Sequence, residues 1–167
     1  SLLLRSGCNY TLGSSNISEI TRFWVLNGST LSLSTFTLKT RNFFNQGITN
    51  LNTGILEVTD LYSTGIGPDG TNPYFGGTMN ANTGTVMYSP RAGIAGDQKV
   101  RYNFNYYNLT LNGRNATTIW ISDDLPTHSS VAINNNLRII NNTGVNMASG
   151  KIVTNLNLYG NCRIGGN

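Results

Sequence analysis

Asn-Thr-Gly occurs three times in this 167-residue chain, at Asn52-Thr53-Gly54, Asn82-Thr83-Gly84 and Asn142-Thr143-Gly144, with offsets of 30 and 60 residues. The first two copies run into short apolar segments, Ile55-Leu56 and Val86-Met87, and the third into Val145-Asn146-Met147. A second phrase, Asn-Leu-x-aliphatic, occurs at Asn108-Leu109-Thr110-Leu111, Asn136-Leu137-Arg138-Ile139 and Asn155-Leu156-Asn157-Leu158, offset by 28 and 19. A loose period of roughly 20–30 residues is in the range of solenoid repeats. One coil of that length cannot bury its apolar side chains alone. Stacked on a neighbour, it pairs its strands at about 4.8 Å and shares a continuous interior. Asn and Gly then fall at corners, where positive φ is needed and Asn can ladder its amide with the next coil.

Composition narrows the alternatives. Asn (25), Thr (20), Ser (14) and Gly (19) make up 78 of the 167 residues, against three Lys, two Glu and two Gln. Coiled coils and helical bundles need Ala, Glu, Lys, Leu and Arg in bulk and are excluded. Gly has no three-residue period, which excludes collagen. No apolar run approaches about 20 residues, so no membrane-inserting span is expected.

Strand signals recur along the chain: Phe23–Leu26, Leu31–Leu33, Ile55–Val58, Val86–Tyr88, Leu109–Leu111, Ile119–Ile121 and Leu156–Leu158. Each is short, apolar or alternating, and bounded by Gly, Asn, Ser or Asp. In Arg101–Tyr106 the aromatics share one parity, whereas Tyr107, Leu109 and Leu111 share the other. A corner or β-bulge is predicted between Tyr106 and Tyr107, because a one-residue slip exchanges faces. Leu31 and Leu33 against Phe36 and Leu38 show the same flip.

The expected fold is therefore all-β: a parallel β-solenoid with irregular coils of about 20–30 residues. The alternative is a β-sandwich, which predicts antiparallel pairing between sequence neighbours. Residues 1–167 read as one segment of a larger chain, with a loop excursion at 63–84 that holds six Gly and two Pro.

Two phrases carry a family resemblance. Tyr106-Tyr107-Asn108-Leu109-Thr110-Leu111-Asn112-Gly113, preceded by Gly84-Thr85-Val86-Met87-Tyr88, resembles repeat units of very large adhesin-like surface and secreted proteins of Bacteroidota. The resemblance is best over residues 82–160 and looser over the first 80. It implies a β-solenoid architecture, export by the type IX route and an extracellular or outer-surface location. It also implies a non-enzymatic role as a rigid stalk or multivalent adhesive module. Its partners would be neighbouring segments of the same polypeptide, surface glycans or other cell-surface proteins.

Candidate chemistry is thin. Gly65-Ile66-Gly67-Pro68-Asp69-Gly70 matches GxGxxG, but Thr71-Asn72-Pro73 follows, where a dinucleotide site needs a helix N-terminus. A Pro-Asp-Gly turn is the expected structure. Asp69 could ligate a metal, but one carboxylate is too few for a dedicated calcium site, so no metal and no cofactor are expected. Tyr74 and Phe75 are the candidate ligand-binding residues, as loop aromatics able to stack on sugar rings; the competing reading folds them back over the coil. Asp123, Asp124 and His128 form the one carboxylate–imidazole neighbourhood, and Glu57 and Asp60 the other close carboxylates. No catalytic residues are assigned; a cluster of Asp60, Asp69, Asp123 and Asp124 within about 10 Å would favour a carbohydrate-active β-helix, a lyase or glycosidase.

The eight Arg are spread singly along a chain of net charge +4, so no nucleic-acid partner is expected. Cys8 and Cys162 lie near opposite ends. Stacked coils would hold those ends roughly 20–40 Å apart, too far for a disulfide, which needs Cα atoms within about 7 Å. Each thiol is predicted to be free and buried, or paired outside this segment.

Overall fold

The computed structural model describes residues 1–60, 67–68, 72–91, 98–101, 104–113, 118–120, 130–140, 144–146, 155–158 and 161–164. These residues form strands and turns without a helix. The largest sheet runs through β1 (Leu2–Leu4), β3 (Ile17–Val25), β5 (Thr37–Asn45), β7 (Ile55–Val58), β10 (Thr85–Tyr88), β12 (Asn105–Asn112), β14 (Ser130–Ile140) and β16 (Asn155–Leu158). Strand β8 (Tyr74–Phe75) adds to β5, and β17 (Asn161–Ile164) adds to β14. A second sheet has the order β2 (Asn9–Thr11), β4 (Thr30–Ser32), β6 (Ile48–Asn50) and β9 (Thr78–Asn80). A third is β11 (Gln98–Lys99), β13 (Thr118–Trp120) and β15 (Gly144–Asn146).

Every strand pairing among the described residues is parallel. The antiparallel neighbours that a β-sandwich requires are absent from them. The offset between paired residues varies along the sheet. It is 18 from Leu38 to Leu56, 30 from Leu56 to Val86, 23 from Val86 to Leu109 and 28 from Leu109 to Leu137. The strands keep their register while the connections between them change length, because a surface connection lengthens at little entropic cost.

In-register pairing stacks like on like. Ile17, Leu38, Leu56, Val86, Leu109 and Leu137 form one inward row across six strands. The next row inward holds Ile20, Thr40, Val58, Tyr88, Leu111 and Ile139. Leu38, Leu56, Leu109 and Leu111 are fully buried, and both rows, with the exception of the buried Thr40, belong to or pack on one contiguous apolar core. Full burial of each such side chain is worth about 1.5–3 kcal/mol, which drives the stacking.

The first two Asn-Thr-Gly phrases are turns, each leading from the second sheet into the largest. Leu33–Phe36, Leu51–Gly54 and Ala81–Gly84 are each closed by a backbone N–H donating to the carbonyl three residues earlier, at 3.0, 2.8 and 2.8 Å. Ser34, Asn52 and Asn82 occupy the same place in the three turns, with φ of 59°, 56° and 48°. Asn tolerates that region better than most residues. Asn82 Nδ2 donates to Asn52 Oδ1 at 3.1 Å, and Asn52 Nδ2 to Ser32 Oγ at 2.7 Å. Asn80 Nδ2 donates to Asn50 Oδ1 at 2.7 Å alongside. The amide ladder predicted at the corners is present.

Three details depart from expectation. The third Asn-Thr-Gly does not share the position of the other two: Gly144 opens β15 in the third sheet, whereas Gly54 and Gly84 lead into β7 and β10 of the largest. The third Asn-Leu phrase pairs with the start of β14, Leu156 opposite Val131. The strand in register with Asn136-Leu137-Arg138-Ile139 is Asn161-Cys162-Arg163-Ile164, at an offset of 25 instead of 19. Finally, the stretch expected as one excursion at 63–84 contains β8 and β9, with Asn72 fully buried. Gly77 serves close approach, since a Cβ there would collide with the Gly47 carbonyl oxygen. The register shift between Tyr106 and Asn108 sits where the parity flip predicts it.

Candidate functional site

On the outer face of the largest sheet, Phe23 and Val25 point inward and leave Trp24 outside. Register then stacks Trp24, Phe44 and Tyr74 on successive strands. The rings of Trp24 and Phe44 are 4.6 Å apart, and those of Phe44 and Tyr74 lie 4.9 Å apart at an interplanar angle of 20°. Arg101 places its guanidinium carbon 5.8 Å from the Tyr74 ring centroid, within cation–π range. Phe75 makes edge contacts with Phe43 at 6.2 Å and Phe104 at 5.1 Å and packs against the core. Tyr74 and Phe75 are both half-buried, each with its ring on protein partners.

The described carboxylates are engaged in ion pairs. Lys39 Nζ lies 3.2 Å from Glu57 Oε1, its register partner, and 3.9 Å from Glu19 Oε1. Asp60, 8% exposed, receives Arg91 Nε on Oδ1 at 3.1 Å and Asn42 Nδ2 on Oδ2 at 3.2 Å. Asn72 ties the same place together, accepting from Phe43 N at 3.2 Å and donating to the Arg41 and Asp60 carbonyls at 2.9 and 3.2 Å. Asp69, Asp123, Asp124 and His128 lie outside the described residues. Of the GxGxxG match, Gly67 and Pro68 are described. Among the described residues no three of His, Cys, Asp and Glu gather as a metal would need. Cys8 is a free thiol and exposed, which departs from the free buried thiol that was one of its two expected states.

A polar chain inside the core gave no sequence signal beyond two tyrosines. Tyr106 Oη donates to the Arg101 carbonyl at 2.7 Å, Tyr88 and Tyr106 share a hydroxyl contact of 2.8 Å, and Arg101 N donates to Tyr88 Oη at 2.9 Å. Burial pushes the Tyr88 hydroxyl up to about 12, against a smaller downward pull from its hydrogen bonds. Burial raises Tyr106 as well, and Tyr88 beside it adds to the rise. Both phenols stay protonated and serve as hydrogen-bonding struts.

Further along the outer face, Thr85, Asn108, Thr110, Asn136 and Arg138 line a groove of about 430 Å³. Leu109 and Leu137, whose side chains are buried in the core, complete its lining. Asn108 Oδ1 accepts the amides of Asn135 and Asn136 at 2.9 and 3.0 Å, and Asn108 Nδ2 donates to the Thr83 carbonyl at 3.0 Å. These bonds fix the amide edges of the groove. The arrangement offers hydroxyl, amide and guanidinium groups for hydrogen bonding. Comparison with protein-family models, curated proteins and solved structures finds no match to this chain.

Proposed function

We propose that the chain is a parallel β-solenoid that serves as a rigid, non-enzymatic stalk or adhesive module of a bacterial surface or secreted protein. Its mechanism is mechanical and multivalent: many weak contacts along a long regular face, with avidity supplied by repetition. The observation that carries this reading is the unbroken parallel register from Ile17 to Leu137, one aliphatic side chain per strand over one core. The phrases resembling Bacteroidota adhesin repeats, residues 84–88 and 106–113, fall on β10 and β12, adjacent strands of that row.

Forced extension of single molecules tests the solenoid. Stacked coils release one lap at a time, so steps of 18 to 30 residues are expected. At about 3.5 Å per residue these correspond to increments of roughly 60–105 Å. One all-or-none extension of the whole chain overturns the reading. The adhesive part is tested with beads carrying many copies: they are expected to hold to glycan-coated surfaces from which the single chain washes off. Bead retention no better than that of a bare bead, or cleavage of the glycan by the chain, overturns it.

A further inference from the structure

The net charge of this chain is not shared along it. Residues 1–97 contain five basic and five acidic side chains and balance to zero. Residues 98–167 contain Lys99, Arg101, Arg114, Arg138, Lys151 and Arg163 against Asp123 and Asp124, so the entire +4 lies there. The fold sharpens this asymmetry. One outward row of the largest sheet reads Lys39, Glu57, Met87, Thr110 and Arg138 in register, and Arg163 takes the register position beside Arg138 on the next strand. At one end Lys39 is neutralised by Glu57 and Glu19. At the other end two arginines occupy register positions on adjacent strands, about 4.8 Å apart. Arg138 is exposed, has no ion-pair partner among the described residues and lines the groove with Thr85, Asn108, Thr110 and Asn136. An exposed guanidinium beside amides and hydroxyls is a ready partner for an external anion.

We propose that this groove binds an acidic polysaccharide, with the anionic group of the sugar on Arg138 and the sugar hydroxyls on the Thr and Asn side chains. This names the ligand of the adhesive surface and rests on that reading. Guanidinium groups pair with carboxylate or sulfate oxygens in a bidentate fork. The amides held in place by the Asn108 bonds, with the Thr85 and Thr110 hydroxyls beside them, match a ligand rich in hydroxyls. Among the described residues no aromatic ring lines the groove. A single-stranded nucleic acid is disfavoured for that reason, since its binding relies on stacking platforms.

The test measures binding of the whole chain to immobilised polygalacturonate, its neutral methyl ester, dextran sulfate and single-stranded DNA at two salt concentrations. Binding is expected to polygalacturonate, to dextran sulfate or to both, stronger at low salt, and not to the methyl ester. The two acidic polymers distinguish a carboxylate from a sulfate as the anion. Arg138→Gln is expected to weaken binding about tenfold, the loss of one charge-assisted pair. Arg22→Gln removes an exposed charge from the balanced half of the same sheet and is expected to leave binding unchanged. Equal losses in R138Q and R22Q, equal binding of the neutral ester, tighter binding of DNA, or no binding to either acidic polymer overturns the proposal. The bead assay on neutral glycans separates the two readings: retention there with no acidic preference sinks this inference and leaves the adhesive one standing.

Discussion

Asn82 donates its side-chain amide to that of Asn52, 30 residues earlier, at 3.1 Å, and both residues hold positive φ, 48° and 56°. One side chain thus performs two tasks at each corner: it accepts a left-handed backbone and it joins one corner to the next. The tasks separate by substitution. Asn52→Gly keeps the turn and loses the amide bonds, at a cost of about 0.5–1.5 kcal/mol. Asn52→Ala loses the same bonds and adds about 1 kcal/mol of backbone strain. Urea unfolding is expected to rank the midpoints wild type, then Gly, then Ala. Equal midpoints for Gly and Ala would show that the conformation does not select the residue.

Gly84 is required by space. A Cβ there would fall 2.5 Å from Leu51 Cβ and 2.9 Å from the Gly54 carbonyl oxygen. Gly84→Ala forces the two corners apart and is expected to cost about 2 kcal/mol or more, as overpacking does. Gly13 has open space around it and no positive φ. Gly13→Ala is therefore expected to be neutral or to stabilise by about 0.4–1 kcal/mol, through the unfolded chain alone. Similar midpoints for the two variants would remove the close-approach account of the Asn-Thr-Gly corner.

The first two Asn-Thr-Gly copies were legible because their corner fixes two things at once: a turn that Asn tolerates and a contact that only Gly fits. The third copy has the same letters at a different kind of position, since Gly144 pairs with Thr118 in another sheet. The Asn-Leu phrase fails for a related reason. Its slot asks for an inward side chain in the second position, and Cys162 takes that register place beside Leu137 as Leu109 does on the other side. Parallel register is set by what stacks, and the connections between strands absorb the difference in length. The Trp24–Phe44–Tyr74 column was hidden for this reason: its spacings of 20 and 30 residues follow the connection lengths and no fixed period. The Tyr88–Tyr106 strut was hidden because it joins residues that are not register partners, Tyr88 pairing with Leu111.

The tyrosine strut makes stability fall in strong alkali. Tyr88 is raised to about 12 in the folded chain, and an unfolded tyrosine loses its proton near 10. The folded state therefore holds the proton more tightly. Its contribution is complete below pH 10 and is lost as pH rises from there to about 12. The loss expected from Tyr88 alone is about 2–3 kcal/mol, and Tyr106 adds to it in the same direction. Tyr88→Phe leaves the Arg101 N–H without its acceptor and costs about 1–3 kcal/mol at neutral pH. It also flattens the alkaline decline. Denaturant midpoints at pH 9, 11 and 12 for both proteins check this; parallel curves would assign the decline to other groups.

Asp60 holds together three segments distant in sequence. It accepts from Asn42 on β5 and from Arg91 beyond β10, while its own backbone N–H donates to the Arg41 carbonyl at 3.1 Å. Asn42 Oδ1 has no partner in its buried position, so the Asp60 carboxylate supplies the one bond that satisfies this amide. Asp60→Ala strands the whole side-chain amide of Asn42 away from water, and about 2–3 kcal/mol of stability is expected to be lost. Asp60→Asn keeps an acceptor for Asn42 and loses mainly the pair with Arg91, whose side chain is 44% exposed and well screened. The second variant is expected to lose about 1 kcal/mol or less. Thermal or urea unfolding of the two side by side decides which bond matters. If Asn costs as much as Ala, the charge is the essential feature and the buried amide is incidental.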